Sequence, residues 1–132
     1  MYAIIKEEYG FRLTFANPIS RDEMLQFRVE AVRSLVGIRG EIGLVIDLRN
    51  FQGEALEPEA REEMADGIEL FRRAGVRRSC IILSSVSTTA QYRRRQRQSR
   101  TKFNERYINA ETTPLWSLKA SKWIKEGVEP GE

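Results

Sequence analysis

The sequence contains no histidine and only one cysteine, Cys80. Histidine is the usual general base near neutral pH and the commonest metal ligand. Its absence removes Ser-His-Asp and Cys-His catalysis and typical zinc sites from this chain. One cysteine closes no internal disulfide. An enzyme built on this chain would depend on carboxylate, lysine, tyrosine or cysteine chemistry, and we expect neither a metal nor a cofactor.

Long apolar runs are lacking as well. The longest stretches, GLVID and CIIL, are far shorter than the about 20 residues that a membrane helix needs. The first residues, MYAIIKEEYG, show neither the basic nor the apolar region of a signal peptide, so we expect a cytoplasmic protein without a membrane span. The 132 residues, 41% hydrophobic and 31% charged, suit a single domain over 1–132 with a frayed tail at 127–132.

Positive charge is concentrated in one segment. The whole chain carries +3, whereas 91–106 holds seven Lys or Arg and one Glu. That segment is therefore +6, and the rest of the chain is −3. A mildly acidic body with one basic segment, and without an aromatic stacking platform beside the arginines, makes nucleic acid the less favoured partner.

Apolar spacing in the first third predicts a hairpin followed by a helix. Tyr2 to Lys6 and Phe11 to Phe15 alternate as strands do, and Gly10 fits the turn between them. Ser20 and Glu23 form a capping-box pattern at a helix start. The predicted inner face of that helix consists of Met24, Phe27, Ala31, Val32 and Leu35.

Two nearly continuous apolar runs, 42–48 and 79–85, are typical of strands buried on both faces. Pro58 is predicted to begin the helix between them, with Met64, Ile68 and Phe71 inward. Ser87 or Thr88 is predicted to cap the basic helix that follows.

The remaining residues predict a short edge strand at 106–109 and a last helix capped by Thr113. Its predicted inner face is Leu115, Leu118, Trp123 and Ile124. The order β-β-α-β-α-β-α-β-α indicates an α/β domain. We expect a mostly parallel sheet of about five strands, the first antiparallel, with about four helices.

This pattern resembles the STAS family, whose founders are bacterial anti-sigma-factor antagonists. It is most similar to the SpoIIAA-like (STAS/SEC14-like) branch of small bacterial proteins. The likeness rests on the two opening strands, on VIDLRNF at 45–51, on RRSCIILSS at 77–85 and on RYINAETTPLWSLKASKWI at 106–124. The resemblance implies a regulatory module rather than an enzyme.

One feature of that family is missing. The phosphorylation-switched antagonists carry an Asp-Ser-x-Gly-like stretch at the start of the helix after the central strand. No Ser or Thr lies between Asn50 and Ala74 in this chain, so the phospho-switch is not expected here. Glu57 or Glu59 could replace a phosphate's charge, although acids are common in a first helical turn anyway.

The ends of the two buried strands carry the candidate binding residues. They are Asp47, Asn50, Ser84, Ser85, Ser87 and Thr88. Ligands of open α/β sheets collect beyond the carboxyl ends of the strands, so a polar rim around a ligand or partner is one interpretation. The interpretation that we favour is local: Asp47 bonds amides of the next turn, and the hydroxyls cap the helix.

Two further features each have two interpretations. Cys80 lies among apolar residues, which favours core packing over a nucleophile. The basic helix is predicted to expose a row of arginines, either as a solvated face or as an interaction surface. That basic surface comprises Arg93, Arg94, Arg97 and Arg100, next to Arg95.

The sequence thus favours a non-enzymatic binding or regulatory module that contacts a protein partner, with homodimerisation as a further expectation. The arginines would steer association electrostatically. The alternative is a small-molecule or lipid carrier of the SEC14-like type, which would need an apolar cavity between sheet and helices. An enzyme of unknown type, the third class, would need carboxylates clustered in a cleft.

Overall fold

The structure, a computed structural model, describes residues 1–98 and 104–131, with the backbone alone for Val86 and 96–98. Strands and helices alternate after an opening hairpin. The elements are β1 (Tyr2–Glu7), β2 (Gly10–Ala16), α1 (Arg21–Leu35), β3 (Ile42–Asn50), α2 (Pro58–Arg73), β4 (Val76–Leu83), α3 (Val86–Gln98), β5 (Glu105–Asn109) and α4 (Trp116–Glu126).

The five strands form one sheet in the order β1-β2-β3-β4-β5. β1 is antiparallel to β2, and every later neighbour is parallel. The predicted fold class is confirmed. Because each crossover steps in the same direction with the same hand, α1, α2 and α3 cover one face. The chain returns after β5, and α4 packs on the other face, against Val45, Cys80 and Ile108.

Aromatic rings fill the space between the sheet and the first two helices. Phe27 of α1 meets Phe15 of β2 edge-on, with ring centroids 5.0 Å apart, and stacks with Phe71 of α2 at 6.4 Å. All three side chains are at most 1% exposed. Burying each such ring contributes about 1.5–3 kcal/mol, so these rings are a main part of the core.

The predicted start of α1 is confirmed and part of its inner face is corrected. The Ser20 hydroxyl accepts from the Glu23 amide, and the Glu23 carboxylate accepts from the Ser20 amide. Met24, Phe27 and Ala31 are buried, but Val32 is 54% exposed. Val32 falls outside the row that faces the sheet, since helical residues share a face at spacings of three and four.

The last helix begins later than predicted, at Trp116 rather than after Thr113. Trp123 and Ile124 are buried as predicted, whereas Leu115 and Leu118 are 61% and 51% exposed. The inner row runs from Trp116 through Ala120 to Trp123 and Ile124, and the two leucines lie off that row. The hydrophobicity of the two leucines alone therefore led to the wrong prediction that they face the core.

Residues 127–131 follow α4, and one of them, Glu129, contacts the edge strand β5. Glu129 accepts from Nε and Nη2 of Arg106 at 2.8 and 2.7 Å, and Pro130 is buried. These hydrogen bonds lower the pKa of Glu129. The Arg106 guanidinium also lies 4.2 Å from the Trp123 ring, so it joins the tail to α4.

None of the helices in the described part of the chain is both long enough and apolar enough to cross a bilayer.

Gly67 sets the distance between α1 and α2. It is buried in the middle of α2, and a Cβ at this position would collide with the ring of Phe27. Glycine in a helix interior ordinarily costs about 1 kcal/mol relative to alanine. Its presence here is explained by the close approach of the two helices.

We expect Gly67→Ala to destabilise the protein although it improves helix propensity. Overpacking costs about 1–3 kcal/mol and propensity returns about 1 kcal/mol, so a net loss of up to about 2 kcal/mol should appear in urea unfolding. Ala65→Gly, at an exposed position of the same helix, is the matched control and should lose about 1 kcal/mol through propensity alone. A Gly67→Ala variant more stable than the native chain would show that the helices are not in close contact.

Candidate functional site

A cleft of about 910 Å³ opens at the carboxyl ends of β3 and β4. One wall is the segment that joins β3 to α2, and the other is the start of α3. The lining of the cleft includes Asn50, Gln52, Glu54, Arg61, Ser84, Ser85, Thr88, Tyr92 and Arg95. The cleft therefore brings together four residues of the predicted rim, namely Asn50, Ser84, Ser85 and Thr88.

Hydrogen bonds between loops hold the strand-end wall in place. The Ser84 hydroxyl donates to the Arg49 carbonyl at 2.7 Å, and the Gln52 amide donates to the Asn17 side chain at 2.5 Å. The Asn17 amide donates to the Asn50 carbonyl at 3.1 Å. Three strand ends are thus joined, which leaves the cleft formed without a ligand.

The opposite wall is the first turn of α3. Ser85 precedes the helix, and its hydroxyl accepts from the Thr88 amide at 3.3 Å. The Thr89 hydroxyl donates to the Ser85 carbonyl at 2.6 Å. The predicted cap, Ser87 or Thr88, was placed too late, because the helix begins at Val86. Ser87 is exposed, does not line the cleft, and keeps its hydroxyl 3.1 Å from that of Ser85.

Asp47 does not line the cleft. Side chains alternate along β3, so Asp47 shares the α4 face with Val45 and is 5% exposed. Its carboxylate accepts from the amide, Nε and Nη2 of Arg49 at 2.9–3.2 Å. The bond from the Arg49 amide is local, but Arg49 lies within β3 and not in the following turn, where we favoured the partner amides from the sequence.

The Arg49 side chain therefore lies on the α4 face of the sheet, paired with Asp47, and its guanidinium is 4.3 Å from the Trp116 ring. The hydrogen bonds that Arg49 donates to Asp47 raise the pKa of Arg49. A cation paired with a buried carboxylate and stacked on an aromatic ring is held by the fold. Arg49 therefore contributes to the cleft mainly through its position in the wall.

The cleft has excess positive charge. Apart from Arg49, whose guanidinium pairs with Asp47 on the other face, its charged lining residues are two arginines, Arg61 and Arg95, and one acid, Glu54. Arg61 and Arg95 are exposed, and neither forms an ion pair within residues 1–98 and 104–131. Burial raises the pKa of Tyr92, so its phenol is neutral, and the Arg95 guanidinium lies 5.6 Å from that ring. The arrangement suits an anionic group.

Three comparisons with known proteins, against protein-family models, curated sequences and solved structures, find no match for this chain. The resemblance to the STAS family therefore stays an expectation from the sequence. The cleft is interpreted from its own charges and donors.

The predicted row of arginines is only partly placed by the structure. Arg93 is half-buried, and its Nη2 donates to the Tyr107 carbonyl at 3.0 Å. Arg94 is exposed. Arg97 has no described side chain, and Arg100 lies outside the described residues. Arg93 is thus a link between α3 and the edge strand rather than a member of an exposed row.

Sequence reasoning missed Arg61 and Arg95 as members of the site. Arg61 is one turn into α2 and Arg95 is three turns into α3, so neither is near a strand end in sequence. Helices that follow parallel strands begin at the edge where the strands end. Applied to the charged residues in the first turn of each helix, this rule would have predicted that Arg61 lies at the cleft.

Cys80 is placed in the core. It is 0% exposed beneath α4. Burial raises the pKa of its thiol to about 12, so the nucleophilic thiolate is scarce at neutral pH.

We expect Cys80 to resist iodoacetamide in the folded protein and to react fully in guanidinium chloride, because alkylation needs an accessible thiolate. Mass spectrometry after timed exposure at pH 8 measures both rates. A folded protein that is alkylated as fast as the unfolded chain would return Cys80 to the list of candidate nucleophiles.

Proposed function

We propose that this chain is a non-enzymatic binding or regulatory module of the cytoplasm, and that it holds an acidic group of a protein partner in the cleft between the β3–α2 segment and α3. The observation that carries the proposal is a pair of exposed arginines, Arg61 and Arg95, which line the same cleft and form no ion pair among the residues that the structure describes. Charged groups of one sign in a concave site concentrate field and attract ions of the opposite sign.

Neutral donors in the lining support the same interpretation. Gln52 and Thr88 offer amide or hydroxyl groups, and carboxylates bind best where charge and donors converge. The segment 91–106, which contains Arg95, carries +6, whereas the rest of the chain carries −3, so positive charge is concentrated in the part of the chain that supplies one wall of the cleft. An acidic partner would be directed to it rather than to another surface.

The resemblance to the STAS family gives the cleft a regulatory meaning. The segment after β3 corresponds to the place where phosphorylation-switched antagonists carry their serine. Here that segment contains no Ser or Thr and forms one wall of the cleft. In this proposal the chain binds an acidic group of its partner at the position where phosphorylation-switched STAS proteins carry their own phosphate.

A small anionic molecule is the second candidate occupant, because about 910 Å³ lies within the range of small-ligand sites, about 300–1,000 Å³. An apolar lipid fits less well. The space between sheet and helices, where a lipid carrier needs its cavity, holds the rings of Phe15, Phe27 and Phe71. A small metabolite retained in native mass spectra would favour this second candidate over the protein partner.

We expect the double variant Arg61→Glu/Arg95→Glu to lose partner binding, because two cations in the cleft become two anions and repel an acidic group. Affinity capture followed by quantitative mass spectrometry, with native and variant chains in parallel, measures the loss. Capture by the native chain should fall about tenfold or more between 50 and 500 mM salt, since the contact is electrostatic.

Arg39→Glu/Arg77→Glu is the matched control, because both arginines are exposed and neither lines the cleft. It makes the same change in net charge and should keep the captured proteins. Equal losses in the two double variants would show that overall charge, and not the cleft, directs binding. Unchanged capture by the cleft variant would exclude Arg61 and Arg95 from the contact.

A further inference from the structure

The outer face of α1 carries a row of exposed apolar side chains. Val29 and Val32 are 52% and 54% exposed, and Leu25 is half-buried. Their spacings of four and three residues place them on one face of the helix, away from the buried face of Met24, Phe27 and Ala31. Helices that lie on a sheet usually present polar residues to solvent, so this row indicates a contact.

Opposite charges flank the row on one side. Asp22 and Arg33 lie eleven residues apart, which is about three turns or about 16 Å along the helix. Both are exposed, and in the described part of the chain neither forms an ion pair. Asp22 lies near the start of α1 and Arg33 near its end, on the same side of the row. If a second copy of α1 packs antiparallel to the first, Asp22 of each copy lies beside Arg33 of the other.

The apolar row and the charged pair share one centre. The midpoint of Asp22 and Arg33 lies between residues 27 and 28, and the midpoint of Leu25 and Val32 lies between residues 28 and 29. The two points differ by one residue, about 1.5 Å along the axis. A single two-fold axis near Arg28 therefore pairs each Asp22 with the other copy's Arg33 and stacks the apolar rows together.

The axis would also bring the two copies' Arg28 side chains near each other on the opposite flank. That repulsion is offset within each copy, because Arg28 donates to Glu63 at 2.9 Å and lies 3.8 Å from Asp66. Glu63 and Asp66 of α2 would therefore lie beside Arg28 at the contact and balance its charge.

We propose that α1 is the interface of a symmetric homodimer, with antiparallel helices, an apolar centre of Leu25, Val29 and Val32, and reciprocal Asp22–Arg33 ion pairs. An isologous contact requires one patch to complement itself, and α1 does so in both its apolar and its charged residues. A patch of three apolar side chains is small, so the dimer forms at micromolar concentrations. It leaves the cleft free, and its test is independent of the proposed function.

Sedimentation velocity over a concentration series from about 1 to about 500 µM tests the proposal on the native chain. We expect a monomer–dimer equilibrium that Val29→Asp abolishes, because the substitution places a charge in the apolar centre. Leu118→Asp is the control: Leu118 is equally exposed, at 51%, but lies on α4 on the other face of the sheet. A native chain that is monomeric throughout, or a dimer lost in Leu118→Asp and kept in Val29→Asp, would overturn the proposal.

Exchange of the two charges separates the interface from an effect on folding. Asp22→Arg and Arg33→Asp should each weaken the dimer at least tenfold, and the combined variant should recover it. In the monomer both changes oppose the helix dipole, so thermal unfolding of the combined variant should be the worst of the three. If dimerisation does not recover in the combined variant, the antiparallel pairing of two α1 helices is ruled out. The same result is expected if a different protein occupies this face of α1.

Discussion

The parallel pairing of β3 with β4 at the centre of the sheet is the constraint from which the other features follow. In this register Val45 lies beside Cys80 and Ile46 beside Ile81, and all four side chains are at most 4% exposed. A parallel pair must be covered on both faces, because its crossovers need helices and its residues are apolar on either side. The sequential strand order then assigns three helices to one face and α4 to the other. The same parallel direction brings the strand ends and the helix starts to one edge, and the cleft is there.

Charged groups in the molecule are of two kinds. One kind is held by the fold. Asp47 binds Arg49, and the buried Glu105 accepts from Arg72, Ser79 and Tyr107 at 2.6–3.1 Å, which joins α2 to β4 and β5. Breaking such a buried set is costly, because it leaves a charge without its partner. The other kind is exposed and has no ion pair within the described residues. Arg61, Arg95, Asp22 and Arg33 belong to it, and both proposals rest on these side chains because nothing in the fold requires them.

Several expectations from the sequence were right where one physical signal acted alone. Continuous apolar runs predicted β3 and β4, and the capping box of Ser20 and Glu23 predicted the start of α1. Expectations were wrong where position depends on packing. Val32, Leu115 and Leu118 were assigned to the core by hydrophobicity, but each helix has one row that faces the sheet, and these residues lie off it. Arg93 was assigned to solvent by charge, although the edge strand offers it a backbone carbonyl.

By itself, the sequence determined the order of elements, the α/β class, the absence of histidine chemistry and four residues of the cleft, because periodicity, caps and residue types are local properties. Only the tertiary structure decided that Asp47 faces away from the cleft, that Arg61 and Arg95 line it together, and that Gly67 admits the ring of Phe27. Those facts depend on which elements become neighbours. Residues 34 positions apart, as Arg61 and Arg95 are, share a site only because parallel strands direct both helices to begin at the same edge.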